Sequence, residues 1–140
     1  MKSMIQCMAM ALSLFTHAAW ACSCAPPGDL ETDVPRALKY ADAVFLGQVI
    51  ALEKDTAREF ETYETTQFAV KSVWKGALED TVSTRVMTTC CLCGFQFTVG
   101  QTYLVYAKQR ANGDYHVSRC SRTKTAEQAE AEIQRLQVGF

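Results

Sequence analysis

The residues of this sequence with the clearest capacity for chemistry are its cysteines. The chain has 140 residues and seven cysteines, and Cys7 lies in an apolar N-terminal stretch. The other six are Cys22, Cys24, Cys90, Cys91, Cys93 and Cys120. An even number of cysteines in a small exported domain predicts a disulfide framework, although the sequence alone leaves about 15 pairings open.

The first 21 residues have the layout of a secretory signal peptide. Lys2 gives a positive start, an apolar stretch follows, and Ala19-Trp20-Ala21 forms a small-x-small cleavage site before Cys22. A membrane anchor is the alternative, but the stretch is short for a span and polar residues interrupt it. We therefore expect a signal peptide over residues 1–21, one domain over residues 22–140, and a periplasmic or extracellular protein.

Cys22 has a second interpretation, as the acceptor of a lipoprotein anchor. Acylation would occupy its amine and its thiol, so that neither metal chelation nor a disulfide from Cys22 would remain. Lipoprotein signals prefer a small or aliphatic residue where Trp20 stands, and Leu14 is too far back to be the usual leucine of that motif. Cleavage without lipidation is therefore the preferred expectation.

Composition and charge disfavour several functions. Without Lys2 the chain carries 13 basic and 15 acidic residues and has no basic run, which argues against nucleic acid and acidic membranes as partners. No later stretch is long enough to span a membrane. His116 is the only histidine beyond the signal peptide, and it is expected to be a partly exposed sheet residue, because hydrolytic zinc sites and nucleophilic triads need further partners. We therefore expect no enzyme activity and no cofactor.

Hydrophobic patterning predicts five strands with a helix near each end. The strands are residues 44–50, 61–74, 81–88, 102–107 and 115–118. Asp33 and Pro35 resemble the N-cap and first turn of the first helix, Thr125 with Gln128 resembles a capping box before the second, and the charged residues 53–58 resemble a loop. This order predicts a mainly β fold, an OB-fold-like five-stranded Greek-key barrel with flanking helices, stapled by disulfides; a β-sandwich is the alternative.

Several segments together resemble the netrin-like module, and most closely the tissue inhibitors of metalloproteinases and their smaller bacterial relatives. The segments are Cys22-Ser23-Cys24-Ala25-Pro26, residues 41–49 (ADAVFLGQV), residues 73–76 (VWKG), Cys93-Gly94, residues 103–106 (YLVY) and Cys120-Ser121. The most specific feature is a Cys-x-Cys at the start of the mature chain, combined with a later Cys-Gly and a last-strand cysteine. The resemblance covers nearly the whole mature chain and implies an OB-type barrel.

The resemblance also implies how the N-terminal residues would act. Two disulfides, Cys22–Cys93 and Cys24–Cys120, would hold them as a rigid ridge. The α-amino group and carbonyl oxygen of Cys22 would chelate the catalytic zinc of a metalloendopeptidase, at the position that water normally occupies. Ser23 would enter the specificity pocket of that protease. The rest of the implied contact ridge is Cys24, Ala25, Pro26 and Leu92.

Cys90 and Cys91 have no counterparts in the family pattern. They could form a vicinal disulfide, remain as thiols or link two molecules in a dimer, and Cys91 could replace Cys93 as the partner of Cys22. If Cys93 were unpaired, the three clustered cysteines could instead bind copper or zinc as soft ligands. The chain also lacks the first-helix cysteine of the eukaryotic inhibitors, and the loop over residues 51–60 is short.

Three functions are consistent with these residues. The leading hypothesis is a secreted or periplasmic inhibitor whose Cys22 caps the zinc of a partner metalloprotease. The first alternative is a non-inhibitory binding module of the cell envelope. The second alternative is a cysteine-rich metal or redox protein.

Overall fold

Two helices and six strands follow one another along the described part of the chain. The computed structural model describes residues 22–59, 61–88 and 93–139, so the predicted signal peptide lies outside it. The elements are helix α1 (Leu30–Tyr40), strands β1 (Ala43–Arg58), β2 (Glu61–Lys75), β3 (Thr81–Met87), β4 (Thr102–Gln109), β5 (Tyr115–His116) and β6 (Lys124–Thr125), and helix α2 (Glu130–Val138). Neither helix in these ranges is long and apolar enough to cross a membrane.

Five of the strands close into a ring. β1 pairs antiparallel with β2 and with β4. β2 pairs with β3, β3 meets β5 in a parallel contact between Thr84 and Tyr115, and β5 returns to β4. The short β6 pairs with β4 as well, at Tyr103 and Leu104. The prediction of a mainly β fold with a helix near each end is therefore confirmed.

Aromatic and aliphatic side chains fill the interior of the ring. The Phe68 ring packs edge to face against Phe45 and Phe97, with centroids 5.5 Å and 4.9 Å apart, and Phe97 meets Tyr103 at 5.0 Å in the same manner. Such pairs contribute about 1 kcal/mol each beyond the burial of their area. Gly47 lies at a register shift of β1, where a Cβ atom would stand 2.9 Å from the Phe45 ring. The glycine therefore combines a strand irregularity with a close approach of its backbone to an aromatic ring.

A second apolar cluster lies between the opposite face of the sheet and the two helices. Val34 of α1 and Leu136 of α2 pack with Val44, Leu104 and Tyr106 of strands β1 and β4. The C-terminal helix thus turns its apolar side, with Ala129 just before it, toward the sheet. Both helices therefore pack against the ring through one shared apolar cluster.

The charged residues 53–58, expected as a loop, are instead the second half of β1. They pair with β2 to the end of the hairpin. Ion pairs support this extension: Arg85 Nη2 lies 2.7 Å from Asp55 Oδ2, and Lys54 Nζ lies 3.6 Å from Glu64 Oε2. The loop prediction was wrong because charged residues whose side chains pair with neighbouring strands give no apolar periodicity, which is the main signal for a strand.

Both helices begin at residues other than those predicted. The N-cap of α1 is Asp29, whose side chain accepts a hydrogen bond from the Thr32 amide at 2.8 Å, and Asp33 lies inside the helix. α2 begins at Glu130, although the Thr125 hydroxyl does accept a hydrogen bond from the amide three residues on, at 3.3 Å. Two acidic residues four apart each suit an N-cap, so local sequence did not choose between them.

Candidate functional site

The N-terminal segment, residues 22–28, lies at the surface and is held there by two disulfides. Cys22 is bonded to Cys93 and Cys24 to Cys120, with Cα atoms 5.7 Å and 5.1 Å apart. These are the two pairs that the family resemblance implies. Residues 23–28 are all exposed. The segment is therefore a covalently anchored edge that faces solvent.

The two partner cysteines are brought together by a short antiparallel contact between residues 93–95 and 117–119. Gly94 forms a bridge with Ser118, and the amide of Arg119 donates to the carbonyl oxygen of Cys93 at 2.7 Å. Cys93 and Cys120 thus extend from neighbouring, hydrogen-bonded segments. Both disulfides attach the N-terminal segment to this one support.

Asp33 ties the other end of the N-terminal segment to α1. Its carboxylate accepts a hydrogen bond from the Gly28 amide at 2.5 Å. The same carboxylate pairs with Arg36 and, at 3.4 Å, with Arg122. Only 9% of the Asp33 side chain is exposed. The segment is therefore fixed by disulfides at its start and by a largely buried carboxylate at its end.

Glu132 of α2 is the centre of a buried charge network. Its carboxylate accepts two hydrogen bonds from Arg122, at 2.9 Å and 2.8 Å, and one from the Tyr106 hydroxyl at 2.7 Å. The ammonium group of Lys124 lies 2.6 Å away. Since Arg122 also contacts Asp33, the network joins α2 and β4 to α1 and, through Asp33, to the N-terminal segment.

The network sets the protonation of its members. Burial raises the pKa of Glu132, but the hydrogen bonds from Arg122, Lys124 and Tyr106 outweigh burial and hold that pKa below its usual value. The hydrogen bond to Glu132 raises the pKa of Arg122, against the effect of burial. Burial raises the pKa of Tyr106, and the hydrogen bond to the Glu132 carboxylate raises that pKa further. At neutral pH Glu132 and Arg122 are thus charged and Tyr106 is a neutral donor.

An open groove of about 730 Å³ runs beside the N-terminal segment. Its lining comes from residues 23–27, from α1, from β4 and from residues 119–124. We call it the N-terminal groove. Ser23, Cys24, Ala25 and Pro26 of the predicted contact ridge are therefore part of the wall of a larger concave surface.

Three of the predicted site residues, Cys90, Cys91 and Leu92, lie outside the described residues. Their roles, and a disulfide-linked dimer, stay predictions. The bond from Cys93 to Cys22 conflicts with both alternatives that needed Cys93 unpaired or replaced by Cys91. Among residues 22–59, 61–88 and 93–139, no group of three or more His, Cys, Asp or Glu side chains is placed to hold a metal ion.

His116 lies half-buried on β5, with its Nδ1 atom 3.2 Å from Nη2 of Arg110. Burial lowers its pKa, and the charge of Arg110 adds to that effect. The residue is thus a partly exposed sheet histidine, as expected, and it lies next to a cation.

The charge network and the groove were not foreseen from the sequence. Arg122, Tyr106 and Asp33 are distant along the chain, and nothing in their spacing joins them. Glu132 did carry a signal, because it follows Ala129 by three residues and precedes Leu136 by four, on the apolar face of the helix. An acid at such a position calls for buried cationic partners.

One family model matches most of the chain. It is described as tissue inhibitor of metalloproteinase and covers residues 20–138, a range that contains every described helix and strand and both disulfides. Proteins of this family bind and inhibit metalloproteinases, act outside the cell and are not enzymes. No individual curated protein matches the chain. This protein therefore belongs to the tissue inhibitor of metalloproteinase family.

Proposed function

We propose that this protein inhibits a zinc metalloprotease by placing Cys22 on the catalytic zinc. The observation that carries the proposal is the N-terminal segment, whose exposed residues 23–26 are anchored through Cys22–Cys93 and Cys24–Cys120. Cleavage before Cys22 would create an α-amino group at the end of this segment. That nitrogen and the carbonyl oxygen of the same residue can close a five-membered chelate ring around one metal ion.

The chelate would act by replacing the attacking water. A catalytic zinc keeps one position open for that water and activates it as the nucleophile. The amine must be neutral to bind; its ordinary pKa is about 8, and the metal lowers it further. The disulfides contribute because a segment that is already ordered loses less entropy on binding.

The residues after Cys22 would make the remaining contacts. Ser23 is exposed and small, and it would enter the specificity pocket of the protease. Cys24, Ala25 and Pro26 would continue along the substrate cleft. Leu92, next to Cys93 in the sequence, would form the neighbouring part of the contact ridge.

We also assign the ring to the OB-type Greek-key barrels. The order β1-β2-β3-β5-β4 with a single parallel contact between β3 and β5 supports this assignment. The two disulfides support a periplasmic or extracellular location reached through the signal peptide.

The proposal is tested by adding one residue to the N-terminus. The mature protein starting at Cys22 should inhibit at least one member of a panel of zinc endopeptidases, and an added alanine before Cys22 should weaken that inhibition at least about 100-fold, because it removes the amine from the chelate. Circular dichroism should be the same for both proteins. Equal inhibition by both would sink the chelation mechanism, and full protease activity at micromolar protein would favour the envelope binding module.

Intact mass and N-terminal sequencing of the exported protein test the required cleavage. We expect a chain that starts at Cys22, with an unmodified amine and an oxidised thiol. An acylated Cys22, or a start elsewhere, would rule out chelation by this residue.

A further inference from the structure

We propose that the N-terminal groove binds an acidic segment of polypeptide. That this polypeptide belongs to the inhibited protease rests on the function proposed above. The groove's own preference for an acidic peptide does not depend on that function and can be measured separately.

The first observation is an excess of cations in the groove. Among the described residues, five cationic side chains line it against the single carboxylate of Asp33; the five are Arg36, Lys108, Arg119, Arg122 and Lys124. Glu132 and Asp42 balance two more charges from outside the lining. Two positive charges therefore remain in excess, on a chain whose overall net charge is −1. A concave surface concentrates the field of such charges.

The second observation is that three of the five cations face solvent, whereas most of the balancing carboxylates do not. The side chains of Arg36 and Lys108 are 65% and 60% exposed, and Arg119 is exposed too. In contrast, Asp33 and Glu132 expose 9% and 1% of their side chains. Within the described ranges Arg119 makes no ion pair. A ligand that enters the groove thus meets positive charge first.

The third observation concerns shape and apolar surface. Alongside the cations, Ala25, Pro26, Pro27, Ala37 and Tyr40 line the groove, and Tyr40 is 64% exposed. The volume of about 730 Å³ lies within the usual range of ligand clefts. An acidic peptide with interspersed apolar side chains can cover both kinds of surface. A highly charged polyanion would leave the tyrosine and the prolines uncovered.

The fourth observation is continuity with the N-terminal segment. Residues 23–27 line the groove and are also the residues proposed to contact the protease. A protein surface seated on these residues borders the groove directly. The segment of the partner next to its active-site cleft is therefore the polypeptide best placed to enter.

The binding test uses the mature disulfide-bonded protein and two fluorescein-labelled peptides, one of repeating Glu-Ser-Leu and one of repeating Gln-Ser-Leu. Fluorescence anisotropy should give at least about tenfold tighter binding of the glutamate peptide. Arg119→Glu should weaken that binding about tenfold. Arg36→Gln, on α1, should weaken it in the same direction. Lys71→Glu is the matched control, because Lys71 is exposed on β2, does not line the groove and changes the net charge equally.

Several results would overturn the inference. They are equal binding of the two peptides, an equal loss in Lys71→Glu, and displacement by polyphosphate at concentrations far below those at which the peptide binds. Circular dichroism and thiol counting confirm that each variant is folded with its disulfides intact, and Arg36→Gln repeats the test if Arg119→Glu does not fold. If the glutamate peptide binds but no protease is inhibited, the proposed inhibitory function is wrong and the proposed peptide binding is supported. If a protease is inhibited through Cys22 and the two peptides bind equally, only the proposal of peptide binding is wrong.

Discussion

At the scale of single residues, Glu132 is an almost fully buried carboxylate with several charged and polar partners. It receives hydrogen bonds from Arg122 and Tyr106 and an ion pair from Lys124, with 1% of its side chain exposed. Removing its charge would leave Arg122 and Lys124 without their main partner beside an almost fully buried side chain. Such a loss is costly because the desolvation of the remaining charges is no longer compensated.

Glu132→Gln is therefore expected to lower the free energy of unfolding by about 3 kcal/mol. Glu130→Gln is the matched control on the same helix, because Glu130 is exposed and should cost no more than about 0.5 kcal/mol. Urea unfolding at neutral pH measures both. Equal effects of the two substitutions would mean that the buried network contributes nothing specific.

A substitution at Ser23 tests the contact ridge without changing the stability of the folded protein. It is exposed, so Ser23→Arg should unfold at the same urea concentration as the native protein. A long cation should not fit a pocket that accepts a small hydroxyl side chain, and inhibition should weaken by about 30-fold or more. Ser72→Arg, at an exposed position of β2, is the control. Inhibition that is unchanged in Ser23→Arg would remove this residue from the contact.

At the scale of elements, the support beneath the two disulfides depends on the close approach of residues 93–95 to β3. A Cβ atom at Gly94 would lie 2.9 Å from Cβ of Val86, which is closer than such atoms approach in folded proteins. The glycine of the Cys-Gly pair is therefore required by packing, and a larger residue must displace either the strand or the segment that carries Cys93.

Gly94→Ala is expected to destabilise the protein by about 1–3 kcal/mol through overpacking. Val86→Gly removes the Cβ atom of Val86 together with its two methyl groups, which would lie 3.3 Å from the added atom, so the double variant should be less destabilised than the sum of the two single variants predicts. Thermal unfolding of the four proteins measures this coupling. Strictly additive effects would contradict the close contact.

The Cys24–Cys120 disulfide should stabilise the N-terminal segment more than the rest of the protein. It closes 96 residues of sequence and anchors the exposed part of the N-terminal segment. Cys24→Ser with Cys120→Ser should cost about 2–4 kcal/mol of stability. Amide hydrogen exchange should rise most at Gly28, whose amide donates to the Asp33 carboxylate at the end of this segment. A uniform rise across the ring, with no added loss in this segment, would contradict its role as an anchor.

At the scale of the whole molecule, stability should fall in acid. The pKa of Glu132 in the folded protein lies below its ordinary value of 4.5, so the charged form is favoured by folding. Its contribution is fully present above about pH 4.5 and is lost as the pH falls through the lower folded value. The pKa values of Asp29 and Asp42 are also lowered, by backbone hydrogen bonds from Thr32 and Gln109, and act in the same direction.

Glu132→Gln should therefore flatten, but not abolish, the loss of stability between pH 5 and pH 3. Urea midpoints across this range measure the slope. A slope that is unchanged in the variant would show that Glu132 titrates alike in the folded and unfolded states.

The sequence predicted those parts of the molecule in which the pattern of neighbouring residues indicates whether a side chain is buried. Phe45 lies in a continuous apolar run, Phe68 on the apolar side of a strand and Leu136 on an apolar helix face, so their burial could be inferred locally. The charged half of β1 could not be, because its stability comes from pairing with β2. The network around Glu132 could not be either, since its members meet only after the ring and both helices have packed.

The visible absorption spectrum of a cobalt-substituted target protease tests chelation by Cys22 most directly. Cobalt(II) can replace zinc in a tetrahedral site, and its absorption bands depend on the donor atoms. Binding of the mature protein should shift these bands, because an amine nitrogen and a carbonyl oxygen replace water, whereas the alanine-extended protein should leave them unchanged. An inhibited protease whose cobalt bands stay at their original positions would contradict the account.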